Sequence, residues 1–219
     1  MNAQHSTGTA LRIQGLSLAY QDRPVLDDFS LTVNRGERVV LTGRSGAGKS
    51  TLLRCILGFD RPRGGSIWIF DRELDGETVW PLRQKVGYVQ QEADPGEGRV
   101  LELLKRPFHY QANRERQFPE KRVRDLFRRF RLSADTLQKE IPDLSGGEKQ
   151  RVALVAALIL DRPLYLLDEI TSALDPGSKK AVLEYLGDFQ GTIVAVAHDR
   201  EFARVAHRSV RIPFIRRKD

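Results

Sequence analysis

Cysteine is almost absent from this sequence, and its scarcity limits what the chain can be. The 219 residues include one cysteine, Cys55. A single thiol cannot form an internal disulfide or a metal site built only from cysteines. Cys55 lies among apolar residues that recur at helical spacing, so we expect it to be a small packed side chain. The four histidines are scattered without the spacing of metal ligands, and we expect no protein-held transition metal.

Long apolar runs are also missing. The longest, Val152 to Leu160, is much shorter than the roughly 20 residues that a helix needs to cross a bilayer. Residues 1–10 are polar and lack the apolar centre of a signal peptide. With 40% hydrophobic and 30% charged residues, the composition is that of an ordinary globular protein with a full core. We therefore predict a cytoplasmic location.

The chain has an excess of positive charge. Its net charge of +7 suits a nucleic acid, an anionic membrane surface or a polyanionic nucleotide as partner. In the densest basic stretch, 114–131, no aromatic is interleaved on the basic helix face for stacking on bases. Its apolar residues share one helix face: Val123, Leu126, Phe127 and Phe130. An amphipathic helix with a solvated basic face is therefore favoured over a polyanion site.

A glycine-rich loop stands between a short apolar run and a helically spaced one. Its G-x-x-x-x-G-K-[ST] spacing is followed by a threonine, and the nine residues are Gly43, Arg44, Ser45, Gly46, Ala47, Gly48, Lys49, Ser50 and Thr51. Glycines at positions 43, 46 and 48 permit positive φ angles, so that backbone N–H groups and the helix N-terminus point at one anion. Lys49 is expected to reach the β- and γ-phosphates of a nucleotide, and the Ser50 hydroxyl to reach Mg²⁺.

A second apolar run ends in two carboxylates. Residues 164–167 lead directly into Asp168 and Glu169. Two acids at the end of a buried strand are costly unless a cation or a reaction uses them. In a chain with a phosphate loop, Asp168 is predicted to hold Mg²⁺ through water and Glu169 to polarise the attacking water.

Three further positions allow two interpretations each. Tyr20 is either a surface aromatic or a residue that stacks on a purine. The loop with Ser145 and Gly147 either caps a helix or presents N–H groups to an anion. His198, at a strand end, is either structural or a hydrogen-bond donor to a γ-phosphate.

The pattern along the chain predicts an α/β protein. Residues 11–19 and 29–33 alternate apolar and polar side chains, as antiparallel strands do. Further strands are predicted at 66–70, after a Gly64-Gly65 turn, at 86–90 and, last, at 192–197. From 92 to 143 the spacing is helical. We predict one domain over 1–219, with a core and antiparallel β subdomain formed by 11–91 and 152–219, and an inserted helical subdomain at 92–151.

Taken in order, these motifs resemble the ATP-binding subunit of an ABC transporter. The string Leu144-Ser-Gly-Gly-Glu-Lys-Gln-Arg151, between a phosphate loop and an Asp-Glu strand, is highly specific. The resemblance implies a P-loop NTPase core, with a mixed, mainly parallel sheet flanked by helices. It also implies ATP and Mg²⁺ as cofactors, and an ATPase activity in which Tyr20 stacks on adenine and His198 senses the γ-phosphate.

The resemblance assigns the remaining site residues. The lid glutamine, which helps to position Mg²⁺, is Gln91, with Gln90 as the other register. Ser145, Gly147 and Asp175 are implied to close the ATP site of a second copy in a head-to-tail homodimer. A separate transmembrane permease is implied, which would hold the chain at the inner membrane. The acidic segment after Gln91, with Glu92, Asp94 and Glu97, is either its docking segment or a charged surface loop.

One departure from the family pattern bears on the substrate. Most members follow the Asp-Glu pair with proline, whereas this chain has Ile170-Thr171. The string 168–175, with Arg106-Pro-Phe108 and Gln111-Ala-Asn-Arg-Glu-Arg116, resembles a bacterial branch assigned to iron export. That assignment is an analogy within a family.

The positive charge suggests two alternatives. One is a soluble ABC-type ATPase acting on nucleic acid or the ribosome, but such proteins usually carry two ATPase units or a very long coiled coil, which 219 residues do not accommodate. The other is a basic nucleic-acid binder whose phosphate loop is incidental, which the other motifs make remote. We therefore expect no nucleic-acid partner.

Overall fold

The computed structural model describes residues 8–21, 23–197 and 200–215, and the chain divides into two units whose boundaries cross the sequence several times. The first unit consists of Met1–Gly87, Arg162–Asp168 and Gln190–Asp219. The second consists of Tyr88–Asp161 and Glu169–Phe189. The predicted helical subdomain, 92–151, lies within the second unit, which also contains 88–91, 152–161 and 169–189.

The strands of the described residues are β1 (Thr9–Tyr20), β2 (Arg23–Asn34), β3 (Arg38–Thr42), β4 (Gly64–Ile69), β5 (Arg72–Glu73), β6 (Val86–Val89), β7 (Leu164–Asp168), β8 (Thr192–Val196) and β9 (Arg208–Arg211). The α-helices are α1 (Lys49–Ile56), α2 (Val79–Arg83), α3 (Val100–Lys105), α4 (Glu120–Arg129), α5 (Gly146–Leu158), α6 (Pro176–Asp188) and α7 (Arg200–Val205). Short 3₁₀ helices occupy Arg106–His109, Gln111–Asn113, Ala134–Gln138 and Ile141–Asp143.

An antiparallel sheet in the first unit has the strand order β2-β1-β4-β5. Leu11 pairs with Val33 and Ile13 with Leu31, so the alternating apolar residues of both strands share a buried face. This confirms the predicted antiparallel strands. The Gly64-Gly65 pair, predicted as a turn, instead opens β4, because Gly64 already pairs with β1 at Ser17.

A second sheet has the order β6-β7-β8-β3-β9, and β7, β8, β3 and β9 run parallel to one another. Val194 of β8 lies between Val39 of β3 and Leu166 of β7, and every residue of β7 and β8 is buried. Strands buried on both faces read as continuous apolar runs, which is the pattern of their sequences. The phosphate loop joins β3 to α1, and Asp168 ends β7, so the sheet supports both.

The second unit is helical. The α4 residues Val123, Leu126 and Phe127 are buried, as is Phe130 just beyond it, which confirms the amphipathic helix. The Phe130 ring meets the Tyr185 ring of α6 edge to face, with 5.2 Å between centroids. This contact explains why 169–189 belongs with the helical unit although its sequence follows a core strand. Among the helices of the described residues, none combines the length and the apolar character of a membrane span.

Candidate functional site

The phosphate loop forms an open helix N-terminus. Gly48, the residue before α1, has φ 82°, and Gly46 has φ 78°. Residues with a Cβ rarely adopt these backbone conformations. No side chain among the described residues caps α1, so its first N–H groups are left for another acceptor. The loop residues Arg44, Ser45 and Gly46 are exposed. This geometry is a cradle that an anion fits.

Lys49 places a positive charge inside this loop. Its side chain is 6% exposed, and Nζ donates hydrogen bonds to the carbonyl oxygens of Gly43 at 3.2 Å and Arg44 at 3.0 Å. Both acceptors are neutral, so they leave the charge of the ammonium uncancelled. The loop therefore favours a ligand with several negative charges.

Two oxygen donors suited to Mg²⁺ lie in the first unit. Asp168, the last residue of β7, is 3% exposed, and Ser50 is half-buried in the first turn of α1. Among the described residues, no group of three or more His, Cys, Asp or Glu side chains could hold a metal ion. One carboxylate and one hydroxyl fit a Mg²⁺ whose other ligands are phosphates and water, rather than a cage made by the protein alone.

Glu169 has an unusual backbone. Its φ of 45° lies in the left-handed region, which is uncommon for a residue with a Cβ and costs of order 1–3 kcal/mol. Ser172 stabilises this turn, because its N–H and its hydroxyl both donate to the Glu169 carbonyl oxygen, at 3.1 and 2.9 Å. Sparsely populated backbone conformations of this kind cluster at active sites.

Ser145 begins α5 and closes a capping box. Its Oγ accepts a hydrogen bond from the Glu148 N–H at 3.3 Å, and Glu148 Oε2 accepts from the Ser145 N–H and hydroxyl at 3.0 and 2.9 Å. The backbone hydrogen bond from Ser145 is the main reason that the pKa of the Glu148 carboxyl is lowered. The structure therefore shows the helix-cap role of Ser145, and its role toward an anion stays a prediction.

The glycines after Ser145 differ from each other. A Cβ at Gly147 would lie 3.1 Å from the Ala173 carbonyl oxygen, so the loop packs tightly on the turn that precedes Asp175. A Cβ at Gly146 would meet nothing within 4 Å. Gly146 therefore marks the open side of this loop, where another molecule has room to approach.

Asp175 is the N-cap of α6. Its Oδ1 accepts hydrogen bonds from the N–H groups of Gly177 and Ser178, both at 3.0 Å. The side chain and then the backbone of Ser178 are the main causes that lower the pKa of the Asp175 carboxyl. The predicted residues Ser145, Gly147 and Asp175 are thus brought together in the second unit as two capped helix starts.

The other predicted residues are placed as follows. Tyr20 ends β1 and is 58% exposed, which leaves its ring free of the core. Gln90 and Gln91 are both exposed after β6, so exposure does not choose between them. His198 lies outside the described residues.

Gln150 and Arg151 have no role predicted from the sequence motifs. Their side chains are 2% and 9% exposed, although glutamine and arginine are mostly surface residues. The available signal was weak: two polar residues at the start of an apolar helix.

Known proteins that are similar to this chain are ATP-binding proteins of transporters. The model of the ABC transporter family matches residues 26–172. The energy-coupling factor transporter ATP-binding protein EcfA1 of Geobacillus kaustophilus is 34% identical over 210 residues, which is 91% of this chain and 74% of that protein. The methionine import ATP-binding protein MetN of Rhizobium etli is 36% identical over 211 residues, which is 92% of this chain. The chain spans only 57% of that relative's length.

Solved structures agree with the fold. An ATP-binding subunit of an ABC transporter superposes with a TM-score of 0.82 at 33% identity, covering 93% of this chain and 86% of that one. The cassette MJ0796, described as a dimer in a post-hydrolysis state bound to ADP and phosphate, has a TM-score of 0.79 at 28% identity, covering 92% and 94%.

Proposed function

Because this chain belongs to the ABC transporter family, as an ATP-binding domain, we propose that it hydrolyses ATP with Mg²⁺ and so drives a separate membrane permease. The observation that carries the proposal is the uncapped start of α1 around the buried Lys49. A loop with one buried cation and several free N–H groups is matched to a triphosphate.

In this proposal the first unit binds the nucleotide. Lys49 and the backbone N–H groups of residues 46–50 hold the β- and γ-phosphates, and Tyr20 stacks on the adenine. Ser50 and Asp168 hold the Mg²⁺. Gln91 keeps the role of a further Mg²⁺ ligand that the sequence resemblance implies. The metal, when bound, would offset the charge that develops on the phosphate oxygens.

Glu169 polarises the attacking water, and His198 senses the γ-phosphate. The support for Glu169 is its left-handed backbone conformation, which is uncommon for a residue with a Cβ and of a kind that clusters at active sites. His198 has only its place in the motif order as support.

The proposed active form is a homodimer. Ser145, Gly147 and Asp175 of one copy would cover the nucleotide that the other copy holds. The open space at Gly146 and the dimeric state described for the MJ0796 cassette support this arrangement. Hydrolysis would then separate the copies, because the γ-phosphate is the ligand that both of them share.

The partner we propose is a permease on a separate chain, which would hold this protein at the membrane periphery. By name, one relative is the ATP-binding protein of a methionine importer and another is that of an energy-coupling factor transporter, which supports a transport role. Glu92, Asp94 and Glu97 are all exposed, as a docking segment for a basic helix requires. If a variant with all three charges reversed still captures the permease, the assignment of this docking segment is wrong.

The transported substrate needs its own test. The sequence resemblance to iron exporters stays a hypothesis, since the relatives named above are a methionine importer and an energy-coupling factor protein. Cells lacking the chain and its permease should accumulate iron if export is correct, and should lose methionine uptake if the chain works as MetN does by name.

The experiment that tests the proposed function reconstitutes the chain in vesicles with a candidate permease, identified from the neighbouring genes. We expect ATP hydrolysis that needs Mg²⁺ and rises when the permease is present. The alternative, a soluble ATPase acting on nucleic acid, finds no support in the names of these relatives. It would instead show salt-sensitive nucleic-acid binding and no response to the permease.

A further inference from the structure

We propose that Gln150 and Arg151 are positioning residues that tie the glutamine segment, residues 90–93, and the Ser145–Gly147 loop to one rigid helix, α5. The inference rests on the proposed function for its consequence in catalysis. Its geometry lies entirely within the second unit.

Gln150 clamps the glutamine segment by its backbone. Its Nε2 donates to the Gln90 carbonyl oxygen at 3.1 Å, and its Oε1 accepts from the Ala93 N–H at 3.3 Å. Both ends of one buried amide are therefore used on two backbone groups that flank Gln91. An amide is suited to this task, because it offers a donor and an acceptor side by side.

Arg151 holds the Ser145–Gly147 loop and the ends of two neighbouring helices. Its Nε donates to the Gly147 carbonyl oxygen at 3.0 Å, and Nη1 donates to the Ser178 hydroxyl at 2.9 Å. Nη1 also reaches the carbonyl oxygens of Phe130 at 2.9 Å and Arg131 at 3.1 Å, where α4 ends. Free carbonyls at a helix C-terminus favour a cation, so this arginine stays buried without a carboxylate partner in these four contacts.

The Ser178 hydroxyl connects Arg151 to Asp175, another predicted site residue. It accepts from Arg151, and the Ser178 side chain also interacts with the carboxylate of Asp175. One guanidinium thus connects the loop of Gly147 with the start of α6. A planar, rigid fork is needed to span these acceptors, and a lysine ammonium is not one.

Adjacent residues of an α-helix point about 100° apart, so the two side chains face different neighbours. Gln150 faces the glutamine segment, and Arg151 faces α4 and α6. Residues 90–93 include Gln91, a predicted ligand of Mg²⁺, and the start of the docking segment. A movement of these residues would therefore be carried to the loop predicted to cover ATP.

The test compares Gln150→Met and Arg151→Lys with two surface controls. Methionine keeps the volume of glutamine without its hydrogen bonds. Gln138→Met makes the same change at an exposed site, and Arg128→Lys does so on the surface of α4. The measurements are ATP affinity, kcat, the Mg²⁺ concentration for half-maximal activity, the melting temperature and hydrogen exchange at the Ala93 amide.

We expect Gln150→Met to raise exchange at Ala93 and at residues 145–148, to lower kcat about tenfold and to raise the Mg²⁺ requirement severalfold, with ATP affinity within twofold. The controls should match the wild type. In the double variant, kcat should be no lower than in the worse single variant, because one broken tie already uncouples the two loops.

Three results would overturn the proposal. Exchange could rise at Ala93 alone, kcat could fall additively, or ATP affinity and kcat could fall together with the melting temperature, as in simple destabilisation. The exchange measurement needs no hydrolysis. If the wild type fails to hydrolyse ATP, the proposed function is refuted, while exchange at residues 145–148 still decides the link.

Discussion

Two helices of this chain begin at glycine-rich loops, and they differ in what occupies their first N–H groups. The start of α1 has no side-chain cap and holds the buried Lys49, whereas the start of α5 is closed by the Ser145–Glu148 capping box. An uncapped helix start with a buried cation is built to bind an anion strongly by itself. A helix start that caps itself is stable without a ligand. We infer that the first loop binds ATP and the second covers it.

The largest effect should come from Glu169→Gln, which changes the proposed catalytic residue and leaves both loops intact. Removing a general base usually costs about 10²- to 10⁴-fold in rate, and neither loop is altered. ATP should still bind, and the protein should stall as an ATP-bound dimer. Turnover and sedimentation measure the two effects. Near-normal turnover would remove Glu169 from its assigned role.

Lys49→Ala tests the first loop. Loss of the buried cation should weaken ATP binding about 100-fold, because charge-assisted hydrogen bonds to phosphate are among the strongest polar contacts. Titration with a fluorescent nucleotide measures this. Lys180→Ala, at an exposed site on α6, is the matched control and should bind ATP as the wild type does. If both variants bind ATP equally well, the first loop is not the ATP-binding loop.

Ser145→Ala tests the second loop. Losing an N-cap typically costs about 1 kcal/mol of stability, so the melting temperature should fall by a few degrees. ATP affinity of the single chain should not change, since the second loop is proposed to act on the other copy. A loss of affinity like that of Lys49→Ala would show that the two loops do not differ as proposed.

The smallest effect concerns pH. The Glu148 pKa is lower in the folded chain than its ordinary value, chiefly through the Ser145 N–H, so the cap contributes fully above the unfolded pKa. That contribution is lost as the pH falls through the folded pKa. Unfolding measured between about pH 6 and pH 3 should therefore show a smaller acid-induced loss in Glu148→Gln than in the wild type. If stability falls equally with pH in the variant and the wild type, Glu148 does not stabilise the start of α5 as the capping box implies.

Local patterns predicted the first loop better than the second. The phosphate loop, the alternating strands and the amphipathic α4 depend on neighbours in sequence, which spacing records. The role of Arg151 depends on carbonyls at Phe130 and Arg131, which only the folded chain brings to it. The sequence gives only a weak sign that this arginine is buried, its position at the start of an apolar helix.

The edge strand β9 was missed for a related reason. Its sequence, Arg-Ser-Val-Arg, has no apolar run, and most of it is exposed. It forms a strand because β3 offers a free edge, with Val40 paired to Ser209. The extension of the helical unit to 169–189 likewise follows from packing on α4, which spacing does not record.

The central claim is that two copies complete one site, and mixing two inactive variants tests it most directly. Lys49→Ala keeps the covering loop, and Gly146→Glu keeps the phosphate loop. Glutamate should be tolerated at Gly146, since a Cβ there meets nothing and an acid suits a helix N-terminus. Its charge should repel a triphosphate. Each variant alone should be inactive, and an equal mixture, with the permease supplied, should recover about a quarter of wild-type ATP hydrolysis, because half the dimers contain one intact site. A mixture as inactive as its components would contradict the account.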